Sequence, residues 1–196
     1  MSSASVSHQH HNTMLAATNP NFNHHPLIAI VLTTSNINLE QSQLAIKDLI
    51  TSKYPIDMPD RHGKTAIHYA VVHSKIELVN QLIDYGANIN IQDNQGNAAL
   101  HYACIRCPLI IIKLLVENGA FLLQTNKLGD IPMHLACLHK RGMSVYCYLL
   151  NQEEVAIENG RVYPKMQLNY QNNSNMSPVQ YLKDLDVASK LIASDY

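Results

Sequence analysis

A chain of 196 residues is long enough for one well-buried domain or a short repeat array. Its 14 Lys+Arg nearly balance 15 Asp+Glu and only 15 % of residues are charged, so no global field draws in nucleic acid or anionic lipid. The N-terminal stretch holds no Lys or Arg, and its longest apolar run, Pro26 to Leu32, is too short to span a bilayer, which argues against a secretory signal and a membrane anchor.

Residues 1–25 are rich in Ser, Asn and His without apolar periodicity, and a disordered tail is predicted there. Its His8, His10, His11, His24 and His25 predict nonspecific affinity for nickel or copper, not a built metal site. Residues 26–58 form a degenerate copy of a unit repeated downstream. Leu49-Ile50 stands one period before Leu82-Ile83, and Ile56-Asp57 one period before Ile89-Asn90.

Self-similarity becomes explicit from residue 59. Asp60-Arg-His-Gly63-Lys-Thr65-Ala-Ile67-His68-Tyr-Ala70 recurs at Asp93 to Ala103 and again at Asn126 to Ala136, with the glycines (63, 96, 129) and histidines (68, 101, 134) stepping by 33. The second halves also match, Leu82…Gly86-Ala87 with Leu115…Gly119-Ala120. Three copies are therefore read at 59–91, 92–124 and 125–150. Gly63, Gly96 and Gly129 suit a turn of positive φ. Thr65 can cap the helix after it, and Pro132 fits a first helical position. Ala70, Ala103 and Ala136 keep each first helix slim. Ile76, Val79, Leu82 and Ile83, then Leu109, Ile112, Leu115 and Val116, give the second helices an apolar stripe at helical spacing. Gly86 and Gly119 are placed to close them as left-handed caps.

The echo Leu168-Asn169…Asn175…Ser177-Pro178-Val179-Gln180 marks a C-terminal capping copy over 168–196, with a last outer helix from Val187 to Ala193. Gly129 and Asn175 are 46 residues apart, 13 more than the period. One extra residue falls near Lys140-Arg141-Gly142, and most of the rest in an inserted loop at 151–167 that contains the turn pair Asn159-Gly160. Such an insertion either joins a binding surface or is a neutral elongation, since extra loop length costs little.

The pattern resembles the ankyrin repeat, G-x-T-P-L-H-x-A followed by L-L-x-x-G-A, matched here by Gly63-Lys-Thr65-Ala-Ile67-His68-Tyr-Ala70 and Leu82-Ile83…Gly86-Ala87. Ala98 and Ile131 replace the usual Thr, and Ala66 and Ala99 the usual Pro. The resemblance implies an all-α solenoid of stacked helix-turn-helix units joined by β-hairpin or turn loops, spanning 26–196 with degenerate repeats at both ends. It also implies that His68, His101 and His134 tie each turn to its helix. By the same register, a partner faces Arg61, His62, Lys64, Val72 and His73 in the first copy. The second copy presents Asn94, Gln95, Asn97, Ile105 and Arg106, and the third Lys127, Leu128, Asp130, Leu138 and His139. Asn90 matches, in part, the asparagine hydroxylated in many ankyrin proteins.

No catalytic, cofactor or metal site is read from the sequence. Cys104-Ile-Arg-Cys107 is a CxxC, but no second CxxC follows at zinc-ribbon spacing, and Cys137 takes the same repeat position as Cys104. Buried, reduced packing thiols are expected, with Cys147 the fourth. The histidine ladder places equivalent atoms about 10 Å apart, the spacing of packed helices, too far to share a metal ion. No G-x-S-x-G, P-loop, Rossmann or H-E-x-x-H pattern occurs. The expected function is a non-catalytic protein–protein interaction module, monomeric on its own, whose partner is another protein and neither nucleic acid nor membrane. Resemblance to small viral and bacterial ankyrin proteins adds the expectation of an effector that sequesters or recruits a host protein. A scaffold subunit of a larger complex is the alternative, and an enzyme a remote one. A cytoplasmic location is expected, host cytoplasm for an effector, with the nucleus left open.

Overall fold

The computed structural model describes residues 25–34, 39–152 and 166–182. The N-terminal tail, most of the inserted loop and the expected helix Val187 to Ala193 lie outside them. Among the described residues there is no strand, and every regular element is helical. The chain divides between Asn88 and Ile89 into two compact units.

The N-terminal unit holds two helix pairs. Helix α1 (Pro26–Thr33) is followed by α2 (Leu39–Thr51), and α3 (Ala66–Val72) by α4 (Ile76–Asp84). The inner helices α1 and α3 pack on each other, and each also packs on its own outer helix. The contact is made by Leu27, Ile28, Val31, Ile46, Ile67, Ala70, Val71, Leu78, Val79 and Leu82, all buried. Ala66 and Ala70, without bulk beyond Cβ, let the inner helices approach. Gln81 Nε2 donates to the Gln43 carbonyl at 2.7 Å and ties the outer helices together.

The C-terminal unit repeats the plan with α5 (Ala99–Arg106), α6 (Leu109–Glu117), α7 (Pro132–Leu138) and α8 (Met143–Asn151). A short helix α9 (Met166–Asn169) and a 3₁₀ turn (Pro178–Tyr181) come after them. Helix α5 lies against α7, and α7 against the 3₁₀ turn. Leu100, Ile111, Ile112, Leu115, Ile131, Met133 and Leu149 are fully buried. Neither helix of a pair could cover its apolar face alone, so the stack supplies the core. Pro108 stands just before α6, and α8 opens at Met143, one residue beyond the 33-residue register, which is the extra residue anticipated near Gly142.

Left-handed residues close the outer helices α2, α4 and α6 at one register position, and the N-terminal unit supplies the first two. Gly86 (φ 84°) and Gly119 (φ 89°) do so, with Ala87 N–H donating to Leu82 and Ala120 N–H to Leu115. In the degenerate first copy Lys53 (φ 63°) fills that place, with Tyr54 N–H donating to Leu49 at 3.0 Å. The cap geometry therefore survives where the glycine does not.

Candidate protein-binding face

Each turn that leads into an inner helix is built in the same way. The N–H of Asp60, Asp93, Asn126 and Asn172 donates to the carbonyl of Lys64, Asn97, Asp130 and Met176, at 2.9 to 3.0 Å. The side-chain Oδ1 of the same first residue accepts two further backbone N–H groups: His62 and Lys64, Gln95 and Asn97, Leu128 and Asp130, Ser174 and Met176. These Asx turns satisfy donors that no strand ladder supplies. Gly63, Gly96 and Gly129 complete the first three with φ 76–79°, and Asn175 (φ 57°) completes the fourth.

Tyrosine braces the turns. Tyr69 Oη donates to Asp60 Oδ2 at 2.6 Å and Tyr102 Oη to Asp93 Oδ2 at 2.5 Å. Burial raises the Tyr69 hydroxyl pKa, and the Asp60 carboxylate raises it further. Burial alone would raise Asp60 as well, but the bonds from Tyr69, Lys64 and His62 outweigh it, and the carboxyl titrates below its ordinary value.

The histidines join turn to helix. His68, His101 and His134 accept the N–H of Thr65, Ala98 and Ile131 on Nδ1, at 3.1, 3.1 and 3.2 Å. The backbone cap therefore forms in the copies that lack Thr as well. In the fourth copy Gln180 Oε1 accepts the Ser177 N–H at 2.7 Å and takes the histidine's place. With Nδ1 accepting, Nε2–H donates to the next copy: His101 to Asp130 O (3.1 Å) and His134 to Met176 O (2.9 Å). Burial lowers the pKa of both rings, which keeps them neutral.

Within the C-terminal unit neighbouring turns are also zipped tip to tip. Lys127 N–H donates to Gln95 O and Asn173 N–H to Leu128 O, both at 3.0 Å. Asn126 Nδ2 donates to Asn97 Oδ1 (3.0 Å) and Asn172 Nδ2 to Asp130 Oδ1 (2.6 Å). Asn97 and Asp130 are accordingly buried, and their side chains hold adjacent turns together. Of the other positions in the partner-facing register, Arg61, His62, His73, Asn94, Gln95, Arg106, Lys127, Leu128, Leu138 and His139 are exposed, while Lys64, Val72 and Ile105 are half-buried. Lys64 Nζ sits 6.0 Å from the Tyr69 ring, and Arg61 Nε donates to His62 at 3.1 Å.

Two cations escaped the sequence reading. Lys75 Nζ donates to Val31 O (2.5 Å) and Thr34 O (2.6 Å) at the end of α1, and an Arg141 guanidinium N–H donates to the Cys107 carbonyl at the end of α5. Each satisfies carbonyls that an inner helix leaves open and complements its negative end. Their 66-residue spacing, two periods, was the available signal; Pro108 occupies the middle register and hides it.

Cys104, Cys107 and Cys137 are free and buried, and Cys147 is half-buried. Burial pushes the Cys137 thiol up to about 12 and raises Cys104 as well, so both stay protonated packing residues. Among the described residues no group of three His, Cys, Asp or Glu side chains could hold a metal ion, and no helix is long and apolar enough to cross a membrane. Asn90 bridges to the following copy, its Nδ2 donating to Gly119 O (3.0 Å) and its Oδ1 accepting the Phe121 N–H (2.9 Å). On the outer side of the N-terminal unit, α2 and α4 flank an open cleft of about 540 Å³ with a polar lining that includes Glu40, Lys47, Glu77 and Asp84.

No curated protein is similar enough to the chain to count as a match. The family model described as ankyrin repeats (3 copies) matches residues 13–126 and 76–161. That span covers well over half of the sequence and includes all three explicit copies, with their Asx turns, histidine ties and stacked helix pairs. The chain therefore belongs to the ankyrin-repeat family, whose repeats are protein-binding modules.

Proposed function

We propose that the chain is a non-catalytic recognition module that holds one macromolecular partner, another protein, through its turn tips and inner-helix ends. The observation that supports this most directly is the division of labour within each turn. The first residue, the glycine and the histidine are committed to the backbone network, whereas the two side chains between the first residue and the glycine are exposed in every copy. Two residues of the partner-facing register are large, apolar and exposed, Leu128 at 66 % and Leu138 at 48 %. Lone exposed apolar residues are common. Here they fall on the register positions that the fold leaves free, where a few anchors can carry most of the binding energy.

Immobilised protein should capture a discrete partner from cell lysate. A variant with Arg61, Lys64, Ile105, Arg106 and Leu138 changed to Ala should release it while keeping the wild-type circular dichroism. Retention of the same partner by the variant would move the interaction off these turn tips and helix ends. A partner that co-purifies at fixed stoichiometry in native extract would favour the scaffold reading over reversible recruitment.

A further inference from the structure

In the C-terminal unit the turn tips and inner-helix ends carry exposed charge of one sign. The unit's carboxylates among the described residues are Asp93, Glu117 and Asp130. Asp93 and Asp130 are buried in the turn network, and Glu117 ends the outer helix α6. The turn tip and the inner-helix ends therefore present exposed cations with no exposed carboxylate among them. Lys127 adjoins Leu128 at the tip, Lys140 follows Leu138 just past the far end of α7, and Arg106 ends α5, which packs against α7. These last two cations are drawn together by the bond from Arg141, next to Lys140, to the carbonyl of Cys107, next to Arg106. Leu138 ends α7, whose seven residues span about 10 Å, and Leu128 stands in the turn before the helix.

A leucine flanked by cations is poorly placed to pair with a second copy of itself, because covering it would bring like charges together. It is well placed to meet an apolar side chain carried among carboxylates. We infer that the occupant of this face is an acidic protein segment whose two apolar side chains cover Leu128 and Leu138 while its carboxylates meet Lys127, Arg106 and Lys140. This rests on the recognition-module reading above and specifies its partner's chemistry. Nucleic acid fits less well: three cations are few for a phosphate backbone, and leucines offer no ring on which a base can stack. The electrostatic share sets encounter rate and selectivity, and the two leucines supply the desolvated contact.

The test pans a display library of random peptides, about 16 residues long, over the full chain at low salt, then measures the selected peptides by fluorescence anisotropy. The expected peptides combine net negative charge with apolar residues, and their affinity falls about tenfold or more as NaCl rises from about 50 to about 500 mM. Arg106→Gln/Lys127→Gln/Lys140→Gln should weaken them by a similar factor and flatten the salt dependence. Leu128→Ser/Leu138→Ser should weaken them while leaving the salt dependence in place. All five positions are exposed, and unchanged circular dichroism verifies that the variants remain folded. Neutral or basic peptides that are lost on the leucine substitutions would overturn the inferred partner and leave the recognition module standing. Peptides that ignore all five substitutions would overturn both. A polyglutamate control held as tightly as the selected peptides would mark a general polyanion site and overturn the inference, as would a selection that returns nothing.

Discussion

Gly96→Ala and Gly119→Ala separate two costs that act on similar backbone. φ is 79° at Gly96 and 89° at Gly119, so an alanine is strained at either position. That strain is about 1–2 kcal/mol, offset by about 0.4–1 kcal/mol because alanine restricts the unfolded chain. A Cβ at Gly119 would meet nothing within 4 Å, which leaves a net cost of about 1 kcal/mol. At Gly96 it would stand 2.7 Å from the Lys127 backbone nitrogen and 3.0 Å from Asn126 Cα. That nitrogen carries the N–H bonded to Gln95 O at 3.0 Å, and Asn126 reaches Asn97 at 3.0 Å, so relief requires the tips to part. Two weakened hydrogen bonds at about 1 kcal/mol each, with some overpacking, bring Gly96→Ala to about 3–4 kcal/mol. Urea unfolding followed by far-UV circular dichroism, analysed with a common slope, measures the difference. Gly96→Ala should lose at least about 2 kcal/mol more than Gly119→Ala. Equal losses would refute the tight tip contact.

Lys53→Gly should stabilise the fold by about 0.5–1 kcal/mol, because an exposed lysine holds a left-handed cap where two other copies use glycine; a lower melting temperature would contradict this. Leu115→Ala, at a fully buried site in the middle of the array, should cost about 2–5 kcal/mol in the same urea assay. Stability should fall as pH drops below the ordinary histidine value of about 6.5. His101 and His134 have lowered folded pKa values, so the unfolded chain takes up protons that the native rings refuse. Urea midpoints at pH 7.5 and 5.5 test this, and His134→Gln, which copies the role of Gln180, should reduce the difference between them.

Most of the fold was legible because the repeat states its constraints several times over. Gly63, Gly96, Gly129 and the three histidines announce turn, spacing and helix start by identity alone. Where identity changes, the sequence reading weakened although the geometry did not. Ala98 and Ile131 lack the hydroxyl of the usual Thr, but the histidine ring accepts a backbone N–H that both residues possess. Asx turns at Asp60, Asp93, Asn126 and Asn172 went unread, since an Asp or Asn in a polar stretch resembles any other until its N–H partners are seen. Asn97 and Asp130 were grouped with the solvent-facing residues because their register position is exposed on an isolated turn. Only the next turn, reaching back through Asn126 and Asn172, buries them. Lys75 and Arg141 were missed for the same reason: each serves the copy before its own, and spacing within one copy carries no trace of that.

What the four turns share narrows where recognition can be written. At the third tip the backbone needs an acceptor at residue 126, a left-handed residue at 129 and a histidine at 134. Residue 128 contributes an N–H to Asn126 Oδ1 and a carbonyl to Asn173, both independent of its side chain. Gln95 and Ser174 hold the equivalent place in neighbouring copies, so the fold has no use for a leucine there. Leu128→Ser should therefore change stability by no more than about 0.5 kcal/mol, the usual range for a surface site, while weakening partner capture. If it lowered the urea midpoint as a core substitution does, Leu128 would be explained by packing, and the case for this tip as a binding anchor would lapse.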